Sequence, residues 1–351
     1  MVEILETDHE KKFLLDPYLD FVKNEGPPIH EDFGIDVLSA EMGDWPRFDA
    51  RGAFIHVKGR GDFCSCYALE FAPGKKTALI KHLYECFVYV LEGHGSTTIE
   101  LPNGERHSFE WGPKSLFALP LNSGYQIFNG SGSERALFAC THFLPLTMNL
   151  FHNKNFIFDN DFSFADRLGD PKYYEGDGDF TAIKPGRHMW ETTFVPDLTS
   201  FELITWKERG AGGSNITFIL ADGTLHAHTS EIPTARYKKG RRHGDGIHIF
   251  AVTGEGYSML WFDEEEEPVE IPWRHGVHVC PAVVDVPPTL QYRARTRTLS
   301  RYRHGIETVS IQPNPARRRC WQGRHLHQGR RPQNRIRRPK PAHAQKMAGS
   351  D

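Results

Sequence analysis

An all-β chain built as two tandem barrels is what this 351-residue sequence predicts, and two observations predict it. The first is a repeat. His82, Gly93, Gly95 and Pro120 return as His243, Gly254, Gly256 and Pro281, a period of 161 residues, with 11 residues from His to Gly and 27 from Gly to Pro in both copies. Four landmarks kept in step over that interval mark two copies of one unit. The second is local pattern: from about residue 54 the chain breaks into short β-rich runs, among them CSCYALEFAPG, CFVYVLEGHG and SLFALPLNSG, separated by Gly, Pro and Asn. Such runs, at spacings of roughly 8 to 12 residues, indicate a sandwich or barrel.

Taken in order, residues 1–53 read as an arm, with a short amphipathic helix over 17–24 followed by the extended, turn-rich GPPIHEDFG. Residues 54–144 form the first barrel. Residues 145–200 are a bridge rich in Asp, Asn and aromatic side chains (FHNKNFIFDNDFSF), which with the arm is expected to pack across both barrels. The β pattern resumes over 201–290 with SNITFILADG, HAHTSEI, IHIFAVTGEGYSMLWF and VEIPW. It stops near Val286, so the second barrel reads as truncated or degraded. Residues 291–351 hold 14 Arg and 2 Lys against Glu307 and Asp351, a local charge of +14 in a chain whose total is −3. Without apolar periodicity and with so high a charge, this tail is expected to be disordered. It fits either an arm for nucleic acid or an anionic surface, or out-of-frame translation of a G+C-rich gene.

The acidic body has no general attraction for nucleic acid, which leaves only the basic tail for such contact. No stretch of about 18 apolar residues occurs, and MVEILETDHEKKFLLD is too charged for a signal peptide, so the chain reads as a cytoplasmic protein without a membrane span. Cys64, Cys66, Cys86, Cys140, Cys280 and Cys320 show one Cys-X-Cys on an apparent strand and otherwise no paired spacing. They read as small apolar side chains in a reducing compartment. The loop from Lys207 lacks the Gly-Lys-Ser/Thr ending of a phosphate cradle and reads as a turn, and the acidic run from Asp263 reads as a solvated hairpin tip.

HLYECFVYVLEGHG, from His82 to Gly95 and preceded by Gly74, resembles the first conserved motif of the cupin superfamily, and PLNSGYQIFN, from Pro120 to Asn129, resembles the second. HGDGIHIFAVTGEG, from His243 to Gly256, resembles the first motif again. The match spans most of the two barrels, so the chain is similar to a bicupin, with the layout of gentisate 1,2-dioxygenases in which a degenerate barrel stands beside a metal-bearing one. The resemblance implies two double-stranded β-helix jelly rolls. It also implies a divalent transition metal, Fe(II) above others, held by two His and a Glu from the first motif and a His from the second.

Carried over position by position, the first barrel offers His82 and Glu85 as metal ligands, with Tyr125 at the second-motif His and Ile80 at the first His. Alternatively, His82 hydrogen-bonds inside a lumen lined by Ile80, Tyr89 and Tyr125 that takes a small aromatic or carboxylate without metal. In the second barrel His243 matches the second His, Arg241 occupies the first, and His248 stands in for the Glu. His226 and His228 alternate on a preceding strand and could ligate or act as base, while Arg241 or Arg236 could clamp a substrate carboxylate. Val286 and Leu290 fall at the second-motif positions of this barrel and are not ligands. The function expected is a metal-dependent enzyme, a dioxygenase acting on a hydroxylated aromatic or keto acid. The alternatives are a non-enzymatic small-molecule-binding bicupin or an inactive copy, with edge-to-edge pairing into a homodimer in either case.

Overall fold

The computed structural model describes residues 15–185, 187–201, 203–205, 214–235, 237–241, 246–261, 267–280, 297–302 and 306–313. They belong to one compact unit, Met1–Pro313, while Asn314–Asp351 lies outside the described residues. Two barrels make up the unit, each from a larger and a smaller sheet. In the first barrel the larger sheet runs in the order Ala50–Val57, Ser65–Phe71, Ala136–His142, Cys86–Glu92 and Leu116–Leu119, and Gly124–Asn129, Gly95–Glu100 and Arg106–Trp111 form the smaller. The second barrel repeats this plan. Its larger sheet orders Ser214–Leu220, Leu225–Ile232, Ile306–Pro313, His248–Thr253 and Val277–Val279, and its smaller sheet orders Tyr237–Arg241, Arg297–Tyr302, Gly256–Trp261 and Val269–Trp273. Gly93 and Gly254 both take positive φ, +90° and +79°, which explains glycine at that landmark in each copy.

Arm and bridge each bind both barrels by backbone pairing. In the arm, Ile29–Asp32 runs parallel to Ala50–Val57 of the first barrel, and Gly34–Asp36 pairs with Val277–Val279 of the second. In the bridge, Arg187–Thr192 pairs with Ser214–Leu220, and Phe194–Val195 with Leu116–Leu119. The arm helix is Pro17–Glu25, with Asp16 accepting from Leu19 N as its N-cap and Pro17 at the first turn, where no donor is missed. Tyr18, Phe21 and Val22 bury one face of it against the first barrel.

Strand alternation separates the core of the first barrel from a layer packed between the two barrels. Odd and even residues of one strand face opposite ways, so Cys86, Val88 and Val90 fill the first lumen while Phe87, Tyr89 and Leu91 turn outward onto the second barrel. Phe250 and Val252 of the second barrel meet them there, and Tyr89 and Phe250 lie with ring centroids 5.5 Å apart. These two residues are one repeat period apart, so the barrels join through equivalent faces.

The tail expected from residue 291 onward is corrected over two segments. Arg297–Tyr302 pairs with Gly256–Trp261, and Ile306–Pro313 lies between Leu225–Ile232 and His248–Thr253, so both sheets of the second barrel receive their closing strand. The second-motif equivalents move with it. Leu260 pairs with Thr298 as Ile99 pairs with Tyr125, which makes Thr298, and not Val286, the counterpart of Tyr125; by the same pairing Tyr302 replaces Leu290 as the counterpart of Asn129.

Candidate functional site

In the first barrel the lumen is a packed core. The rung Phe54, Tyr67, Cys140 and Val88 crosses four adjacent strands, and Leu69, Phe138 and Val90 form the next. His82 and Tyr125 do meet here, with ring centroids 5.6 Å apart at 74°. The His82 ring stacks on Tyr84 at 3.9 Å, and its Nδ1 lies 3.0 Å from the Tyr84 carbonyl oxygen. A carbonyl only accepts, so Nδ1 carries the proton and the buried Nε2 a lone pair. His142 has the opposite tautomer: its Nδ1 accepts from Leu144 N at 3.2 Å, and the ring stacks on Tyr67 at 4.4 Å. His56 is tied to the Tyr18 hydroxyl at 2.9 Å.

Burial governs the ionisation of this cluster. It pulls His82 down to about 4 against the pull of the Tyr84 hydrogen bond, takes His56 to about 3, and holds His142 well below its ordinary range. The same desolvation pushes the Cys140 thiol and the Tyr67, Tyr84 and Tyr125 phenols far above theirs. All these groups are neutral near pH 7. A buried thiol kept protonated is a poor nucleophile.

Glu85 does not face this lumen, which corrects its assignment as a ligand. Its Oε2 accepts from Thr224 N at 2.7 Å and Leu225 N at 2.9 Å, and its Oε1 from Arg167 Nη2 at 2.8 Å. The carboxylate therefore fastens a hairpin of the second barrel to the first. Cys86, the next residue, takes the inward place. Tyr89 likewise faces the second barrel instead of the lumen.

In the second barrel, register decides which histidines share a space. His226 is opposite Gln312 and His228 opposite Ser310, whereas His248 is opposite Ile311 on the neighbouring strand. Ile311 and Ala227 face the first barrel, so His248 does too, and the sheet stands between it and the pair His226 and His228. This corrects His248 as a partner of that pair. Its Nδ1 lies 3.0 Å from Nε2 of His278, a residue the sequence patterns did not single out, and His278 stacks on Phe250 at 4.4 Å and 8°. Desolvation takes His248 down to about 3 and holds His278 well below its ordinary range, so both are neutral in the wall between the barrels.

The inward face of the second barrel differs in kind from that of the first. Where the first has Phe54, Tyr67 and Cys140 across three strands, the second has Thr217, His228 and Ser310, and Asn215 and Ser230 form the adjacent rung. His226 contacts the Gln312 amide at 3.3 Å between nitrogens. Ile249, Ala251, Ile232 and Trp273 supply an apolar floor. His243 and Arg236 lie outside the described residues. Arg241 ends the strand Tyr237–Arg241 opposite Thr298.

Among the described residues no three His, Cys, Asp or Glu side chains gather as a metal would require. His226 and His228 share one face of their strand, and His243, the further ligand expected beside them, lies outside the described residues.

Solved structures to which the chain is similar are a Bacillus subtilis oxalate decarboxylase with Mn(II) centres, at 11% identity and a TM-score of 0.48 over 90% of this chain and 85% of that one, and a Lactobacillus farciminis oxalate decarboxylase, at 12% and 0.49 over 82% and 89%. An 11S globulin from Wrightia tinctoria, described with an auxin-binding site, matches at 11% and 0.50 over 78% and 82%. At this identity the likeness is one of fold. The fold is that of a tandem cupin, or bicupin. No protein-family profile matches the chain, and no curated protein matches it in sequence. Among the described residues no helix is long and apolar enough to cross a membrane.

Proposed function

We propose that the chain is a small-molecule-binding bicupin whose working space is the lumen of the second barrel. The observation that carries this is the pair of equivalent rungs: Phe54, Tyr67 and Cys140 close the first lumen with rings and thiol, while Thr217, His228 and Ser310 line the second with hydrogen-bonding groups. Imidazoles, hydroxyls and amides over an apolar floor suit a small molecule rich in hydroxyl or carboxylate oxygens. A carboxylate would draw Arg241 or Arg236 into the binding set, as a bidentate guanidinium partner. Among the described residues five buried cysteines fit a reducing compartment, and we infer a cytoplasmic location.

A second reading, a divalent-metal enzyme of the Fe(II) dioxygenase kind, is favoured by one observation: His226 and His228, two residues apart on one strand, present imidazoles to the same lumen. One experiment separates the two. Thermal-shift titration with small carboxylates and polyols is run beside elemental analysis, on the native chain and on H226A/H228A. A ligand that raises the Tm of native protein alone, without stoichiometric metal, supports binding. Stoichiometric metal lost in the variant supports the metal enzyme, and a ligand response identical in both proteins removes the second lumen as the site.

A further inference from the structure

Outside both lumens, over the mouth of the first barrel, lies a cleft of about 520 Å³. Tyr84 and Leu121 contribute to its lining at the barrel, and beyond them stand two aromatic pairs. Phe151 and Phe156, from the helices Leu144–Phe151 and Lys154–Phe158, sit 4.8 Å apart, and Phe162 and Phe164, from the following loop, sit 4.9 Å apart. Phe151, Phe156 and Phe162 are 41% to 63% exposed although they are large and apolar. The loop is fixed, because Asn122 Nδ2 donates to the carbonyls of Asn160 and Phe162 at 3.0 and 2.7 Å.

We propose that this cleft is a second binding site, for an uncharged, flat aromatic molecule. Two aromatic pairs beside a Tyr ring offer faces and edges to a planar ligand. The volume suits about 15 to 20 non-hydrogen atoms. Charge chooses among such ligands. The carboxylate at the cleft is Glu85, and its oxygens are already engaged by Arg167, Thr224 N and Leu225 N, while the Thr147 hydroxyl donates to Phe143 O at 3.0 Å and Asn160 Oδ1 accepts from Phe162 N at 2.7 Å. An anion would lose its water beside a carboxylate and find the Thr147 hydroxyl and the Thr224 and Leu225 amides already donating elsewhere; a neutral aromatic needs none of them. The site is independent of the second-barrel lumen.

The test uses N-phenyl-1-naphthylamine, a neutral fluorescent aromatic, and 8-anilinonaphthalene-1-sulfonate, its anionic counterpart on the same skeleton, with the full chain. The neutral probe should saturate one site per chain and bind at least about tenfold more tightly than the sulfonate. F156A/F162A removes two exposed rings, should leave the Tm unchanged, and should weaken the neutral probe at least about tenfold. L146E keeps the rings, adds a carboxylate to a lining position, and should act in the same direction. H226A/H228A should leave the probe unaffected, so failure here and failure of the second-lumen site are told apart. Equal affinity for the two probes, or unchanged binding in F156A/F162A, overturns the proposal. So does a native oligomer in sedimentation velocity that F156A/F162A dissociates while the native chain binds no probe, which would make a second copy of the chain the occupant.

Discussion

His56, His82, His142, His248 and His278 are held inside the protein, and burial lowers the pKa of every one. The unfolded chain therefore binds protons that the folded chain refuses, and the sign follows from linkage. The stability these groups contribute is complete above about pH 6.5 and is lost as pH falls toward the folded values, about 4 for His82 and about 3 for His56 and His248. Each can withdraw up to about 1.4 kcal/mol per pH unit inside that window. The Tm should be level from pH 7 to 8 and drop steeply between pH 6 and 4; calorimetry across that range checks it, and a level Tm down to pH 4 would contradict it. Glu85 gives a second expectation at this scale. Its Arg167 partner and two backbone donors make Glu85→Ala destabilising by about 2 to 3 kcal/mol in urea unfolding, with ligand binding in the second lumen retained at temperatures where the variant is folded.

Among the elements, the strand Ile306–Pro313 matters most, because without it the larger sheet of the second barrel would be split. Val309 and Ile311 face the first barrel, Ser310 and Gln312 face the lumen, and the sequence Val-Ser-Ile-Gln carries that alternation. Val309→Asp should cost at least about 3 kcal/mol, by burying an unpaired charge, while Ser310→Asp should cost far less; paired urea melts measure the contrast. The strand was hard to recognise because it lies in an Arg-rich stretch, whose composition hides a four-residue period-2 pattern. The misplaced ligands have another cause. Gly-X-Gly landmarks locate a strand end, yet Glu85 and His248 each stand one residue from an inward position, and a slip of one reverses the face. His278, in Val277-His278-Val279, carried the alternation but no clue to which face was the lumen. His226 and His228 were legible because their spacing of two keeps them together whichever way the strand faces.

At the scale of the whole molecule, equivalent strands of the two barrels meet at Tyr89 and Phe250, while arm and bridge each add strands to both larger sheets. Two barrels so joined should unfold together. Tyr89→Ala, which empties the centre of that contact, should cost about 3 to 5 kcal/mol and lower a single calorimetric transition without dividing it. Chain ending at Pro313 should keep that transition, since Met1–Pro313 is one compact unit, whereas chain ending before Arg297 should lose it. The two-barrel plan was legible from the repeat; the swapped strands of arm and bridge were not, because segments of two to six residues carry too little pattern to name a partner. The central claim is that the second lumen, walled by His226 and His228, holds the ligand while His248 and His278 lie beyond the sheet. Imidazole ¹⁵N shifts, assigned with single His variants and followed while the best thermal-shift ligand is added, test it most directly. The resonances of His226 and His228 should move with saturation and those of His248 and His278 should stay; movement of His248 and His278 with His226 and His228 still would contradict the account.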